Sequence, residues 1–195
     1  KRKMTILRSI ETRMMEALRR DFLADADIAA YFRGVFVGPL PSGDPATIYP
    51  PQINISLTPN DTYTAGVGSL TKHKVTIAVG AYFSVVGQDL PLDTTTPPLN
   101  PIDYVRHLQL IALNGSIDPY TGLVNGRGYL LDPDYVVPDP LPAPPWDALR
   151  WLNTSCGGCT DPVLLFTNDN SAVVGPFLID YEIWVITLTG QLYET

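Results

Sequence analysis

The chain is poor in the residues that most often carry chemistry. Its 195 residues include only two cysteines and two histidines. No Gly-x-Ser-x-Gly elbow accompanies the histidines, so a hydrolase is not expected. Phosphate-loop and dinucleotide fingerprints are missing as well. Asn125-Gly126-Arg127-Gly128 and Cys156-Gly157-Gly158-Cys159 are too short and lack a strand-turn-helix setting. No uninterrupted apolar run has the length of a membrane span. The longest apolar-rich stretch, Val173 to Leu188, is broken by Pro176, Asp180 and Glu182 and reads as strands. The opening Lys1-Arg2-Lys3-Met4-Thr5-Ile6-Leu7 has the charged start of a secretory signal, but Arg8, Glu11 and Arg13 break the apolar part, so no signal is expected. Basic residues are scarce, 13 against 20 acids, for a net charge of −7. That balance argues against general nucleic-acid binding, which needs clustered Lys and Arg.

What is present is a division of charge. The first 24 residues hold seven bases (Lys1, Arg2, Lys3, Arg8, Arg13, Arg19, Arg20) and three acids (Glu11, Glu16, Asp21), a net of +4, leaving −11 for the rest. Opposite fields at two ends of one chain suit head-to-tail contact between copies or with neighbours. Proline is the other excess: 19 residues, about twice the usual share of roughly 5%. The prolines cluster, which points to long ordered loops rather than whole-chain disorder. An apolar fraction of 45% suffices for a core, and the length suits one domain.

Periodicity supplies the elements. Leu7, Ile10, Met14, Leu18 and Phe22 form one stripe of a helix over residues 5–23. Acids interleave its bases, which disfavours a membrane-surface or nucleic-acid helix. Asp25 or Asp27 caps a short helical turn after it. Residues 34–38 read as a short strand, 39–51 as a Pro-rich loop, and 52–57 as an alternating strand. Residues 58–68 read as an exposed loop and 74–83 as the central strand. Pro101 opens a second helix with the stripe Ile102, Val105, Leu108, Ile111 and Ala112, ended by Asn114-Gly115. Residues 115–162 read as an irregular Pro-rich arm, in which six of the thirteen residues from Pro133 to Pro145 are proline. Within it, residues 146–152 suggest a helical turn bringing Trp146 and Trp151 to a packing surface. Strands return at 163–167, 172–174 and 177–188; in the last, Phe177, Ile179, Tyr181, Ile183 and Val185 share a side. The expectation is α+β: a small, mostly antiparallel sheet with two helices packed on one face, plus the arm, in one domain whose core is 5–114 and 163–190.

Candidate chemistry is thin. Cys156 and Cys159 are the only cysteines, and the nearest histidine is His107 on the second helix. Thr160-Asp161-Pro162 continues the loop instead of opening a helix that would lower a thiol pKa. A disulfide staple or a pair of inert thiols is therefore expected, with no cofactor and no metal centre. Asp132-Pro133-Asp134 and Asn168-Asp169-Asn170 lack calcium-loop spacing and read as turns. His107 lies off its helical stripe and His73 precedes a strand, so both are expected at the surface or a sheet edge.

The order of elements resembles the tail terminator and neck proteins of long-tailed bacteriophages. The resemblance rests on the basic first helix with Leu7, Ile10, Met14 and Leu18, and on the Pro51-Gln52-Ile53-Asn54-Ile55 strand. The Lys74–Phe83 strand, the Ile102–Leu113 helix and the closing strand with Tyr181-Glu182-Ile183-Trp184-Val185 complete it. It covers about 120 residues as a pattern rather than a sharp motif, and the arm departs from compact members. It implies a non-enzymatic virion protein: a ring of six copies at the head-tail junction that terminates the tail tube and joins the connector and head-completion proteins. DNA would pass an acidic lumen without specific binding. Arg19 and Arg20, with Trp146 and Trp151, are the expected contacts between copies. The competing readings are another neck, head-completion or baseplate component, or a small Cys-x-x-Cys binding or redox module.

Overall fold

The computed structural model of the chain describes residues 8–38, 51–58, 63–67, 70–84, 100–126, 128–134, 151–152, 160–166, 171–174 and 177–194. Helix α1 spans Ile10–Ala24. Ser9 starts it: its Oγ accepts a hydrogen bond from the Thr12 amide at 3.2 Å, satisfying one of the helix's orphan donors. The helix therefore begins five residues later than the sequence stripe suggests, and residues 1–7 lie outside the described residues. Met14, Leu18 and Phe22 are buried along the expected face. Asp25 ends α1 and caps α2, Ala26–Tyr31. Its Oδ1 accepts from the Asp27 and Ile28 amides at 3.1 Å each. Helix α3, Pro101–Asn114, carries Pro at its first position, and the Asp103 carboxylate accepts the Asn100 amide at 2.8 Å.

The strands are β1 (Val35–Val37), β2 (Gln52–Leu57), β3 (Tyr63–Val67), β4 (Leu70–Ser84), β5 (Leu130–Leu131), β6 (Trp151–Leu152), β7 (Val163–Phe166), β8 (Ser171–Val174) and β9 (Phe177–Glu194). The main sheet runs β1-β2-β4-β9-β7, with β3 added to β4 and β8 to β9. Among the described residues, only the β1–β2 pairing is parallel within it. This is the expected α+β architecture with a mostly antiparallel sheet. β4 and β9 pair from Thr71↔Glu194 to Ser84↔Tyr181 and form its spine.

Register explains which face is apolar. Ile53 and Ile55 lie opposite Ala81 and Val79, which lie opposite Trp184 and Ile186. Ile77 pairs with Leu188. All of these except the partly buried Trp184 are buried, together with the α1 stripe and with Val105, Leu108 and Ala112 of α3. Each such aliphatic side chain contributes about 1.5–3 kcal/mol of transfer free energy. At the α2 end, Tyr31 stacks on Tyr104 at 3.9 Å, and Phe32 meets Phe83 edge-on at 5.6 Å. These contacts join α2, α3 and β4, and aromatic pairs add about 0.5–1.5 kcal/mol beyond their area.

Three sequence expectations need correction. Residues 58–68, expected as a loop, contain β3, whose Tyr63–Val67 pair with Lys74–Leu70; the long edge of β4 supplies the hydrogen bonds that local composition does not reveal. Residues 146–152, expected as a helical turn, end in β6, with Trp151 and Leu152 opposite Leu131 and Leu130. In β9, Trp184, Ile186 and Leu188 join the main core, and Ile183 on the other side of the strand is buried as well. Finally, residues 115–134 of the expected arm are not an excursion. Leu130 and Asp132 are fully buried, and the segment packs on α1 through β5. Residues 135–150 and 153–159 lie outside the described residues.

Candidate functional site: a cleft between the two helices and the 115–131 loop

Because Val105, Leu108 and Ala112 pin α3 to the sheet, the opposite side of the helix points outward. Leu110 there is 55% exposed, and Leu113 is also exposed. Gly115 then stops α3 at φ +76°, with its amide on the Ile111 carbonyl at 3.0 Å. A Cβ at this position would meet the Tyr129 carbonyl oxygen at 2.5 Å, so glycine is required both by conformation and by space. The chain turns out and back, with Ile117 bridged to Val124. Asn125 closes the loop. Its Nδ2 donates to the carbonyls of Ser116 at 2.8 Å and Tyr129 at 2.6 Å, and its Oδ1 accepts the Tyr129 amide at 3.2 Å.

Two arginines of α1 tie this loop down. Arg13 reaches Asp132 at 2.7 Å, with side-chain exposures of 5% and 0%. Arg20 donates to Asp21 Oδ1, to Ser116 Oγ and to the Leu131 carbonyl, each at 3.0 Å. Ser116 Oγ in turn donates to Asp21 Oδ2 and accepts the Leu131 amide at 2.9 Å. Burial pushes the Asp21 carboxyl above its ordinary range, against the opposing pull of the Arg20 guanidinium and the Ser116 hydroxyl.

The result is a cleft of about 500 Å³ between the C-terminal half of α1, the outer side of α3 and the loop. Leu110, Ile117, Val124 and Leu131 give it apolar walls, and Ile117 and Val124 are each 53% exposed. Arg20, Asp21, Asp25 and His107 supply the polar rim. His107 Nε2 lies 3.0 Å from Asp25 Oδ2. Donor atoms of Asp25, Asp27 and His107 fall within 4.8 Å of one another, so these are the described residues that could approach a cation together. Apolar walls with a few convergent polar groups suit the binding of an amphipathic partner.

The sequence candidates fall unevenly on this geometry. Arg20 is in the cleft, but its guanidinium is engaged within the chain. Arg19 Nε donates to the Val35 carbonyl at 2.9 Å, and its head is 3.8 Å from Glu16. Trp151 is placed in β6 by its backbone alone, whereas Trp146, Cys156 and Cys159 lie outside the described residues. His73 sits within β4, opposite Thr64, rather than before a strand. Asp132 and Asp134 form a turn, as expected, with the Asp134 amide on Asp132 Oδ1 at 2.9 Å. Sequence reasoning missed the Arg13–Asp132 pair, the Arg20–Asp21–Ser116 group and the Asp25–His107 contact. The one visible signal was Asn125-Gly126, a turn pair whose Asn proves to be the loop clamp.

Among the described residues no helix is long and apolar enough to cross a membrane. In comparisons with known proteins, no protein-family model and no curated protein matches the chain.

Proposed function

We propose that this chain is a structural virion protein of a long-tailed bacteriophage. It forms a ring at the head-tail junction, where it terminates the tail tube and joins it to the connector. It acts by geometry and requires no cofactor. It would assemble in the host cytoplasm and remain in the neck of the particle. The observation that carries the reading is the surface cleft: exposed Leu110, Ile117 and Val124 gathered between two helices that are otherwise well anchored on a sheet. Contiguous exposed leucine, isoleucine and valine are costly on a monomer and are typical of a surface that meets a partner. Two further features support it. The α+β order of helix, sheet, helix and long closing strand is the order on which the resemblance to terminator and neck proteins rests. β4 and β9, of 15 and 18 residues, are two to three times the usual length of about 5–6, which gives a protomer reach beyond its own core.

The test is the position of the subunit in purified particles, read by electron microscopy with a small C-terminal label. Density for a closed ring at the junction of head and tail is expected. Label in the baseplate or capsid would move the protein to another particle component, and its absence from particles would overturn the reading.

A further inference from the structure

We infer that the cleft of one copy takes the segment Lys1-Arg2-Lys3-Met4-Thr5-Ile6-Leu7 of a neighbouring copy. The inference rests on the assembly reading above and names the surfaces through which copies would join. The two partners are complementary in kind. The segment has three successive cations followed by Met4, Ile6 and Leu7. The cleft has apolar walls at Leu110, Ile117 and Val124, with Asp25 and Asp27 beside its mouth. Asp21 already faces Arg20, and Asp25 caps α2 and meets His107, so the exposed Asp27 carboxylate is the one best placed to meet incoming cations.

Covalent geometry favours a neighbour over the segment's own chain. α1 has 15 residues, about 22 Å at 1.5 Å per residue, and the cleft lies along its far half, at Arg20, Asp21 and Ala24. Seven extended residues span at most about 25 Å. To reach its own cleft, the segment would have to double back along nearly all of α1. The flank toward β5 is occupied by the Arg13–Asp132 and Arg20–Leu131 contacts. A neighbour meets no such constraint. A segment-into-cleft contact uses unlike surfaces on the two copies, and such heterologous contacts close into rings when the rotation permits.

The experiment mixes full-length chains grown in ¹⁴N and ¹⁵N, treats them with a zero-length amine–carboxylate cross-linker, and reads the joined peptides by mass spectrometry. The expected products are mixed-isotope pairs linking Lys1 or Lys3 to Asp25 or Asp27. Leu110→Ser retains every reacting group and adds no new carboxylate, and because Leu110 is 55% exposed it should leave the far-UV spectrum unchanged. It should nevertheless weaken self-association by at least about tenfold and abolish these links; Val124→Ser provides an independent second variant. Raising the salt concentration should weaken the contact. The inference is overturned if the links are confined to single-isotope pairs, if they survive both variants, or if the chain stays monomeric at every concentration. A ring in the particle neck whose copies are joined elsewhere would overturn this inference and leave the proposed function standing. Mixed-isotope links in a chain absent from particles would do the reverse.

Discussion

Asp132→Asn should be far more damaging than its modest chemistry suggests. The change keeps the shape of the side chain and removes one charge. Asp132 is 0% exposed and its partner Arg13 only 5%, with 2.7 Å between them. Removing the carboxylate leaves a guanidinium buried against a neutral amide, and breaking such a pair costs about 3–5 kcal/mol. For a domain of this size, each kcal/mol moves Tm by about 2–4 °C, so a fall of about 6–20 °C is expected. The chain contains its own control. Arg106 and Asp161 are nearly as close, 2.8 Å, but are 51% and 85% exposed. Asp161→Asn should therefore cost no more than about 1 kcal/mol. Replacing both buried partners, Arg13→Met with Asp132→Leu, should recover much of the loss, because no orphaned charge remains. Thermal and urea unfolding followed by circular dichroism measure all four proteins. Equal costs for Asp132→Asn and Asp161→Asn would refute the argument that burial, and not bond length, sets the strength of these pairs.

Four other outcomes follow from the contacts of α1 and the loop. Arg20→Glu should destabilise the isolated chain by about 1–3 kcal/mol in urea titrations, since it strands the Leu131 carbonyl and sets a carboxylate beside Asp21. Arg19→Glu loses only the hydrogen bond to the Val35 carbonyl and should cost about 0.5–1.5 kcal/mol. Gly115→Ala should cost at least about 1–2 kcal/mol by the same measurement, because φ is +76° and the new methyl collides with Tyr129. The stability gap between the native chain and Asp21→Asn should depend on pH. Burial raises the folded-state pKa of Asp21 above its ordinary 3.8, so its contribution is fully present below that value and is lost as pH rises through the folded-state pKa. A series of unfolding curves from acid to neutral pH should show the native chain gaining on Asp21→Asn as pH falls; the opposite slope would mean that Arg20 outweighs burial.

What the sequence revealed depended on contrast between neighbouring positions. Met14, Leu18 and Phe22 stand out in α1 because charged residues separate them, and the buried face was legible from that alone. β2 alternates Ile53 and Ile55 with Asn54 and Ser56, so its core side was equally plain. β9 offers no such contrast. Ile183, Trp184, Val185 and Ile186 are all apolar, and only the pairing of Trp184 with Ala81 and of Ile186 with Val79 decides which side meets the helices. β3 was invisible for a different reason: a five-residue strand exists there because β4 extends far enough to pair with it. The site was less legible still. Arg13 and Asp132 are separated by 119 residues, Arg20 and Ser116 by 96, and His107 and Asp25 by 82. No local pattern encodes such distances, and the loop between Gly115 and Asp132 has no period from which burial could be inferred.

That loop changes the meaning of the basic N-terminal region. Counted along the sequence, its seven bases form one positive block suited to an outside partner. In the fold, Arg13 and Arg20 anchor the 115–134 segment to α1, Arg19 holds the end of β1, and Arg8 lies 3.5 Å from Asp134. Each of the four that lie among the described residues therefore has a partner inside the chain, and the Arg13 and Arg20 contacts build the cleft wall itself. Reversing charge at Arg19 and Arg20 together would confound assembly with folding, since the loss at Arg20 removes the wall of the surface being tested. The cations that bear on the question of assembly are Lys1, Arg2 and Lys3, which precede α1 in the sequence. If the charge division serves association between copies, serine at those three positions should weaken self-association in native mass spectra while leaving the unfolding midpoint unchanged. A fall in the midpoint equal to that of Arg20→Glu would mean that the segment, too, belongs to the fold of its own chain.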